Sequence, residues 1–324
     1  MLFNQTGKYA FSKLKIGVMA VLGGGVIFYN PLVNSLGLSS NEKLHSLKSA
    51  DNKLVAVPYD LHQFADDIRK DVKMLEKKKM AIKFFIVKSL DVITLGYLDM
   101  AHGARVGLPY TFIYDKEEDV DPAVVTSIVG EKRFIDQDWY KSENGQKLIR
   151  TIILSKEARK FAIARGIIHA DSIEAILIDF FTLFMVASTI AAYSLMESKM
   201  ILLFGKAAGL TILSVILACT LIPVFVTIKS IIAHDCMMRS DDRTLKQPNN
   251  DYRLGAIEYY EKLIERNKLM RELLVDGPER YNEDGSPFAA FKKVVIPLKD
   301  RLTNCKNVIE EWEKETPVII QESL

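Results

Sequence analysis

Two long apolar runs follow each other in the second half of the chain, and they constrain the fold more than any other feature. The first run, residues 180–196, contains no charged residue, and neither does the second, residues 207–228. A helix needs about 20 apolar residues to cross the hydrocarbon core of a bilayer, because each residue advances the helix by about 1.5 Å. The sequence therefore predicts a transmembrane hairpin, which we place at residues 173–228.

A charged helical segment precedes this hairpin. Residues 155–172, SKEARKFAIARGIIHADS, form an amphipathic pattern that begins at Ser155, a residue type that favours the N-cap position of a helix. No glycine-proline break separates this segment from the first apolar run. We therefore predict a soluble helix that continues directly into the membrane.

The overall composition argues against an all-membrane protein and against a nucleic-acid-binding protein. Of 324 residues, 49% are apolar and 26% are charged, so a mixed soluble and membrane chain is expected. The 43 basic and 41 acidic residues leave a net charge of only +2, which gives no general attraction for nucleic acid. Cys219, Cys236 and Cys305 form neither a paired disulfide framework nor a CxxC motif.

The N-terminal segment combines basic residues with an uncharged run. Residues 1–15 contain three lysines and no acidic residue, and residues 16–38 contain no charge. This pattern resembles a mitochondrial targeting segment joined to a retained transmembrane anchor, and a secretory signal is the alternative. Whether residues 16–38 span the membrane or are removed stays open, as does the side of the membrane on which the N-terminus lies.

Periodicity predicts the soluble elements. Apolar residues repeat with a helical period at Tyr59–Met80 and Tyr252–Leu274, and a final helix is expected at Asp300–Glu315. Residues 39–53 are interpreted as a polar linker and residues 115–147 as a loop with at most one short strand. The segments KFFIVKS and ARVGLPYTFIY, and Phe288–Leu298, have the β-branched and aromatic content of strands.

These elements predict an α+β membrane protein that is mostly helical and has a small sheet. The expected division is a soluble α+β part at residues 39–172, the hairpin, and a soluble helical part at residues 229–324 that packs against the first part. The order of elements matches a metallopeptidase-like layout with an inserted transmembrane hairpin, which is an analogy at the level of the fold.

One stretch of the charged helix has the spacing of a zinc motif without its ligands. The chain resembles membrane zinc metallopeptidases of the HtpX kind, in which H-E-x-x-H supplies two zinc ligands and a glutamate that activates water. In this frame Arg165 replaces the first histidine, Gly166 replaces the glutamate, and only His169 remains. A guanidinium does not deprotonate to bind a cation, so this position cannot ligate zinc.

The third ligand position of that frame is also changed. In such peptidases a glutamate four residues before the aspartate of an Ala-Asp pair completes the site. If Asp242-Arg243 is the matching pair here, the residue at that position is Met238. Asp235 and Asp241 lie close by but outside this register. The resemblance thus implies a scaffold without its metal, and we predict no catalytic residues, no metal and no cofactor. A zinc peptidase with displaced ligands is the alternative.

A second resemblance covers mainly the C-terminal half. The segments LSKEARKFAIAR, at residues 154–165, and AIEYYEKLIERN, at residues 256–267, are similar to the transmembrane protein 177 family of mitochondria, as is the tail with Tyr281, Gly285-Ser286 and Trp312. This resemblance implies a mitochondrial inner-membrane scaffold that supports cytochrome c oxidase assembly. The implied partner is the assembly factor that chaperones newly made subunit 2, and the family has no established catalytic residues.

Small residues in the first hairpin helix predict the partner surface. Ala187 and Ala191 form one small-xxx-small pair, and Ser188 and Ala192 form a second pair on an adjacent face. One face can serve the hairpin and the other a membrane partner. Basic residues on both flanks of the hairpin favour soluble parts on the matrix side. We expect no small-molecule substrate and no nucleic-acid partner.

Overall fold

The computed structural model describes residues 37–315, except for residues 50, 101, 131–132 and 289–296. The chain divides into a membrane unit, described over residues 173–233, and a core unit, described over residues 37–172 and 234–315. The predicted targeting segment, nearly all of the predicted anchor and most of the predicted strand Phe288–Leu298 lie outside the described residues.

The described chain is mostly helical and contains one small sheet. In chain order the elements are α1 Leu38–His45, α2 Tyr59–Asp71, α3 Glu76–Met80, β1 Ile82–Val87, β2 Ile93–Gly96, β3 Ala104–Pro109, α4 Pro122–Val129, α5 Glu143–Ile152, α6 Lys156–Ala170, α7 Glu174–Phe204, α8 Lys206–Leu245, α9 Asp251–Leu273, α10 Gly277–Arg280 and α11 Leu298–Glu315. Helices α9 and α11 agree with the predicted helices to within two residues.

The sheet has three strands in the order β1-β3-β2. Strand β1 is parallel to β3, and β2 is antiparallel to β3. The two predicted strand segments are confirmed in β1 and β3, although Tyr110–Ile113 is a 3-10 helix and does not extend β3. Strand β2 was not predicted, because its four residues are too few to show an alternating pattern.

The predicted loop at residues 115–147 is wrong, because it contains α4 and the start of α5. The turn signal Asp121-Pro122 is the start of α4: the Asp121 carboxylate accepts a hydrogen bond from the amide of Ala123 at 2.8 Å. Gly145 lies in the first turn of α5, where a Cβ atom would lie 1.9 Å from the carbonyl oxygen of Trp139. Residues typical of turns here begin helices.

Two other local predictions need correction. The predicted linker at residues 39–53 contains most of α1, and Leu38, the last residue of the predicted anchor, is buried in the core unit. The predicted helix Tyr59–Met80 is two helices, α2 and α3, separated at residues 72–75. Val72 lies in this break and is fully buried, so the apolar pattern continues where the helix does not.

The predicted continuous helix into the membrane is also wrong. Helix α6 ends at Ala170, and α7 begins at Glu174. Asp171, directly after α6, accepts hydrogen bonds from Lys78 at 2.6 Å and from Arg243 at 2.7 Å. These two ion pairs hold the chain at the end of α6 within the core unit, and the three residues that follow α6 are not part of either helix.

The membrane unit contains the predicted hairpin. Helix α7 has 31 residues and α8 has 40, and both are long and apolar enough to cross a membrane. Gly205 ends α7 with a φ of +76°, a conformation that glycine adopts without steric cost. Phe181 and Phe225 stack with ring centroids 5.9 Å apart, so the two helices contact each other. Helix α8 continues past residue 228, and its residues from His234 onward belong to the core unit.

Helix α6 forms the centre of the core unit. Nine of its residues are buried, and it packs against the sheet and against α9 in the first of two hydrophobic clusters. A second hydrophobic cluster is formed by α4, α5 and the end of α9, around the fully buried Trp139. Of the residues of α6 that carried the zinc-like spacing, Gly166 is buried against the sheet, whereas Arg165 and His169 are half-buried.

Candidate functional site

The zinc-like spacing on α6 leads into a buried polar network. Arg165 and His169, one helical turn apart, are both half-buried. Arg165 Nη1 donates a hydrogen bond to the hydroxyl of Tyr260 on α9 at 3.1 Å. His169 Nδ1 lies 3.2 Å from the hydroxyl of Ser240 on α8. The structure therefore brings the two motif residues to α8 and α9.

Asp241 lies at the centre of this network and is fully buried. Its carboxylate accepts hydrogen bonds from Arg301 Nε at 2.8 Å and Arg301 Nη2 at 2.7 Å. A third hydrogen bond comes from the hydroxyl of Tyr260 at 2.9 Å. A bidentate guanidinium and a phenol together offset much of the cost of removing the carboxylate from water.

Two tyrosine rings complete the surroundings of the arginines. The Arg165 guanidinium lies 5.2 Å from the ring centre of Tyr259, and the Arg301 guanidinium lies 5.0 Å from that of Tyr260. Burial by itself lowers the pKa of Arg165, but its interactions with Tyr259, Tyr260 and Asp241 raise that pKa above the usual value. Arg165 is therefore a permanent cation, and it occupies the position that a metal ligand has in the peptidase frame.

The other positions of that frame have separate roles. A Cβ atom on Gly166 would lie 2.7 Å from Val92 Cγ1 and 3.3 Å from Val106 Cγ1, so Gly166 permits close packing of α6 on the sheet. Among the described residues, α8 contributes Ser240 and Asp241 to the network, and neither of them is Met238, the residue that the frame gave to the third ligand position. The sequence analysis set Asp241 aside because it lies outside the register of the zinc-ligand frame. It missed Arg301, which lies more than fifty residues after Asp241 in the chain.

The chemistry of the network differs from that of a metal centre. Within the described residues no group of three or more His, Cys, Asp or Glu side chains is placed to hold a metal ion. Burial, with Arg165 and Arg301 nearby, lowers the pKa of His169 to about 4. Burial, with Asp241 nearby, raises the pKa of the Cys305 thiol. At neutral pH both groups are uncharged, so neither is a reactive ion.

The low pKa of His169 predicts a loss of stability in acid. In the unfolded chain this histidine binds a proton near pH 6.5, whereas in the folded chain it does so only near pH 4. The free energy of unfolding should therefore fall as the pH drops from 6.5 to 4, by up to about 3 kcal/mol from this group. Chemical denaturation of the full chain in detergent, across this pH range, measures the fall.

The matched variants for this prediction are His169→Asn and His102→Asn. His169→Asn should remove most of the loss between pH 6.5 and 4, and the same substitution at the exposed His102 is the control for replacing a histidine by asparagine. Comparing variants cancels the titration of carboxylates, which is shared by all of them. If His169→Asn kept the full acid-dependent loss, the buried neutral state of His169 would be refuted.

The four predicted partner residues on α7 differ in exposure. Ala187 and Ala191 are exposed, whereas Ser188 and Ala192 are half-buried. The two small-xxx-small pairs therefore lie on faces with different surroundings. The pair Ala187 and Ala191 is the more exposed of the two.

Comparison with known proteins identifies the family. The sequence model of a family described as Transmembrane protein 177 matches residues 13–322. The chain belongs to the transmembrane protein 177 family. Human transmembrane protein 177 is 27% identical over 233 residues, which cover 71% of this chain and 71% of the human protein. The zebrafish (Danio rerio) protein of the same name is 29% identical over 201 residues, covering 58% of this chain and 59% of its own length.

No solved structure matches the chain, so the metallopeptidase-like layout remains an analogy from sequence. Membership of the transmembrane protein 177 family agrees with the two membrane-spanning helices α7 and α8. The segments that carried the family resemblance have clear structural positions. Residues 154–165 form most of α6 and its N-cap, and residues 256–267 lie in α9, which packs against α6.

Proposed function

We propose that this member of the transmembrane protein 177 family is a non-catalytic scaffold of the mitochondrial inner membrane. It supports cytochrome c oxidase assembly by stabilising the factor that chaperones newly made subunit 2. The family resemblance supports the role in cytochrome c oxidase assembly, and the hairpin formed by α7 and α8 supports a role within the membrane. The basic flanks of the hairpin support a matrix location for the soluble parts.

One observation carries the non-catalytic part of this proposal. In the peptidase frame drawn from the sequence, Arg165 stands at the position of the first zinc ligand, and the buried carboxylate of Asp241 is bound by Arg301 and Tyr260. The guanidinium groups of Arg165 and Arg301 do not lose their charge, so a change of pH cannot exchange either of them for a metal ion. A purified zinc peptidase retains about one zinc per chain, so metal analysis of the protein tests the alternative directly.

The partner surface proposed for this function is the exposed pair Ala187 and Ala191. Helices in a bilayer associate where small side chains allow close approach, because lipid offers no hydrophobic driving force. Leucine at Ala191 adds three heavy atoms at an exposed position, so we expect Ala191→Leu to reduce partner recovery several-fold without lowering the protein's abundance. Co-purification from solubilised mitochondria measures recovery, with the subunit 2 assembly factor as the partner sought.

Ala192→Leu is the matched control, because Ala192 has the same side chain one residue away but is half-buried. Overpacking of the hairpin in this variant should lower the free energy of unfolding by about 1–3 kcal/mol, and the abundance of the protein should fall as a result. Unchanged recovery with Ala191→Leu would exclude this face of α7. The partner surface would then be sought on the core unit, beginning with α9.

A further inference from the structure

A small internal cavity lies between the two hydrophobic clusters of the core unit. It provides about 10 Å³ of space for the centre of a water-sized sphere. Leu154 and Leu263, from the first cluster, and Ile152, from the second, line it together with four polar residues. The polar lining residues are Thr111, Thr151, Tyr259 and Arg266.

Two of these polar side chains have an atom to which no described residue forms a hydrogen bond. Tyr259 is 3% exposed, and among the described residues nothing hydrogen-bonds to its hydroxyl. Arg266 is 8% exposed, and its Nε is likewise without a partner in the described part of the chain. The rest of the guanidinium is bound: Nη1 donates to the Leu90 carbonyl at 3.1 Å, and Nη2 donates to Asp91 Oδ2 at 2.7 Å. Buried polar groups in proteins nearly always have a partner, so these two atoms require one.

We propose that the cavity is a binding site for a single structural water molecule. A water needs about 10–15 Å³ of such space and two to four polar partners, which this cavity provides. The water accepts hydrogen bonds from Arg266 Nε and from the hydroxyl of Tyr259. The Thr151 hydroxyl donates to the Leu148 carbonyl at 2.7 Å, which leaves its oxygen able to accept a hydrogen bond from the water.

A neutral ligand fits this site better than an anion. The positive charge of Arg266 is already balanced by Asp91 at 2.7 Å, so an added anion would be buried without a cation of its own. Leucine and isoleucine side chains form the remaining walls and offer an anion no further donors. The water thus connects α9 to the chain around α5 and joins the two hydrophobic clusters.

Tyr259→Phe tests this proposal through the sign of the change in Tm. If the hydroxyl binds a water, its removal breaks a hydrogen bond and lowers the Tm of the full chain in detergent by roughly 2–4 °C. If the hydroxyl has no partner at all, its removal relieves a buried polar group, and the Tm stays the same or rises. An unchanged or higher Tm would overturn the proposal.

Two control variants calibrate the shift. Tyr260→Phe removes a hydroxyl that is bound directly to Asp241 at 2.9 Å, so it should lower the Tm. Tyr59→Phe removes a hydroxyl from a side chain that is 79% exposed, so it should leave the Tm unchanged.

Two further measurements identify the ligand even if Tyr259→Phe does not fold. Replacing chloride by gluconate at constant ionic strength should leave the wild-type Tm unchanged, and a loss of stability would indicate a bound chloride and refute the water. A high-resolution structure of the wild-type chain should show one density peak within about 2.7–3.2 Å of Tyr259 Oη and Arg266 Nε. A site without density among well-ordered neighbours would also refute it.

Discussion

Replacing Asp241 by Asn should lower the free energy of unfolding by about 3–5 kcal/mol, because it leaves a buried guanidinium without its counter-ion. Arg301 is 8% exposed and makes two hydrogen bonds to this carboxylate, so water cannot replace the lost partner. The loss should appear as a large fall in Tm for the purified chain in detergent and as low abundance in cells.

Two comparisons make this prediction specific to the buried pair. Asp235→Asn removes an exposed carboxylate that pairs with Arg239 at 2.7 Å on the same helix, and it should cost less than about 1 kcal/mol. The double variant Asp241→Leu with Arg301→Met removes both charges and should recover much of the stability lost by Asp241→Asn. A Tm for Asp241→Asn equal to that of Asp235→Asn would show that the network does not hold the core unit together.

Replacing Gly255 by Ala should cost about 3 kcal/mol or more, because α6 and α9 approach too closely for a side chain. A Cβ atom on Gly255 would lie 2.1 Å from the carbonyl oxygen of Glu157 and 2.5 Å from the amide nitrogen of Ala158. Both contacts are with backbone atoms, which cannot turn away as the end of a side chain can. Alanine normally stabilises a helix by up to about 1 kcal/mol relative to glycine, so a loss here isolates the packing effect.

Leu254→Ala is the control for this prediction. Leu254 is the adjacent residue on α9 and is 62% exposed, so its truncation should change the free energy of unfolding by about 0.5 kcal/mol or less. Urea unfolding of both variants, followed by circular dichroism, gives the comparison. Equal stability of Gly255→Ala and wild type would contradict the close crossing of α6 and α9.

Long and strongly patterned elements could be predicted without the structure. The hairpin depends on two uncharged runs of membrane-spanning length, and α9 and α11 show the helical period over several turns. Short elements could not be predicted in the same way. Strand β2 and helices α1, α4 and α5 are each ten residues or fewer, so packing against neighbours decides their conformation.

The candidate site was likewise predictable from the sequence only in part. The helical spacing of Arg165 and His169 placed both residues on one face, because residues four apart are neighbours on a helix. That spacing could not show that Asp241 and Arg301 would meet them, since their contact depends on how α8 and α11 fold back onto α6 and α9. The packing role of Gly166 could not be predicted for a related reason, because the close approach of α6 to the sheet is visible only in the tertiary structure.

The sequence by itself determined that this chain is a membrane protein with a hairpin and that it belongs to the transmembrane protein 177 family. Both properties depend on residue order within continuous segments, where apolar length and motif similarity can be recognised directly. Only the tertiary structure decided that Asp241 would be neutralised by Arg301 and that Gly255 would have to be glycine. These two results depend on distances between helices far apart in the chain, and those distances are set by the packing of the whole core unit.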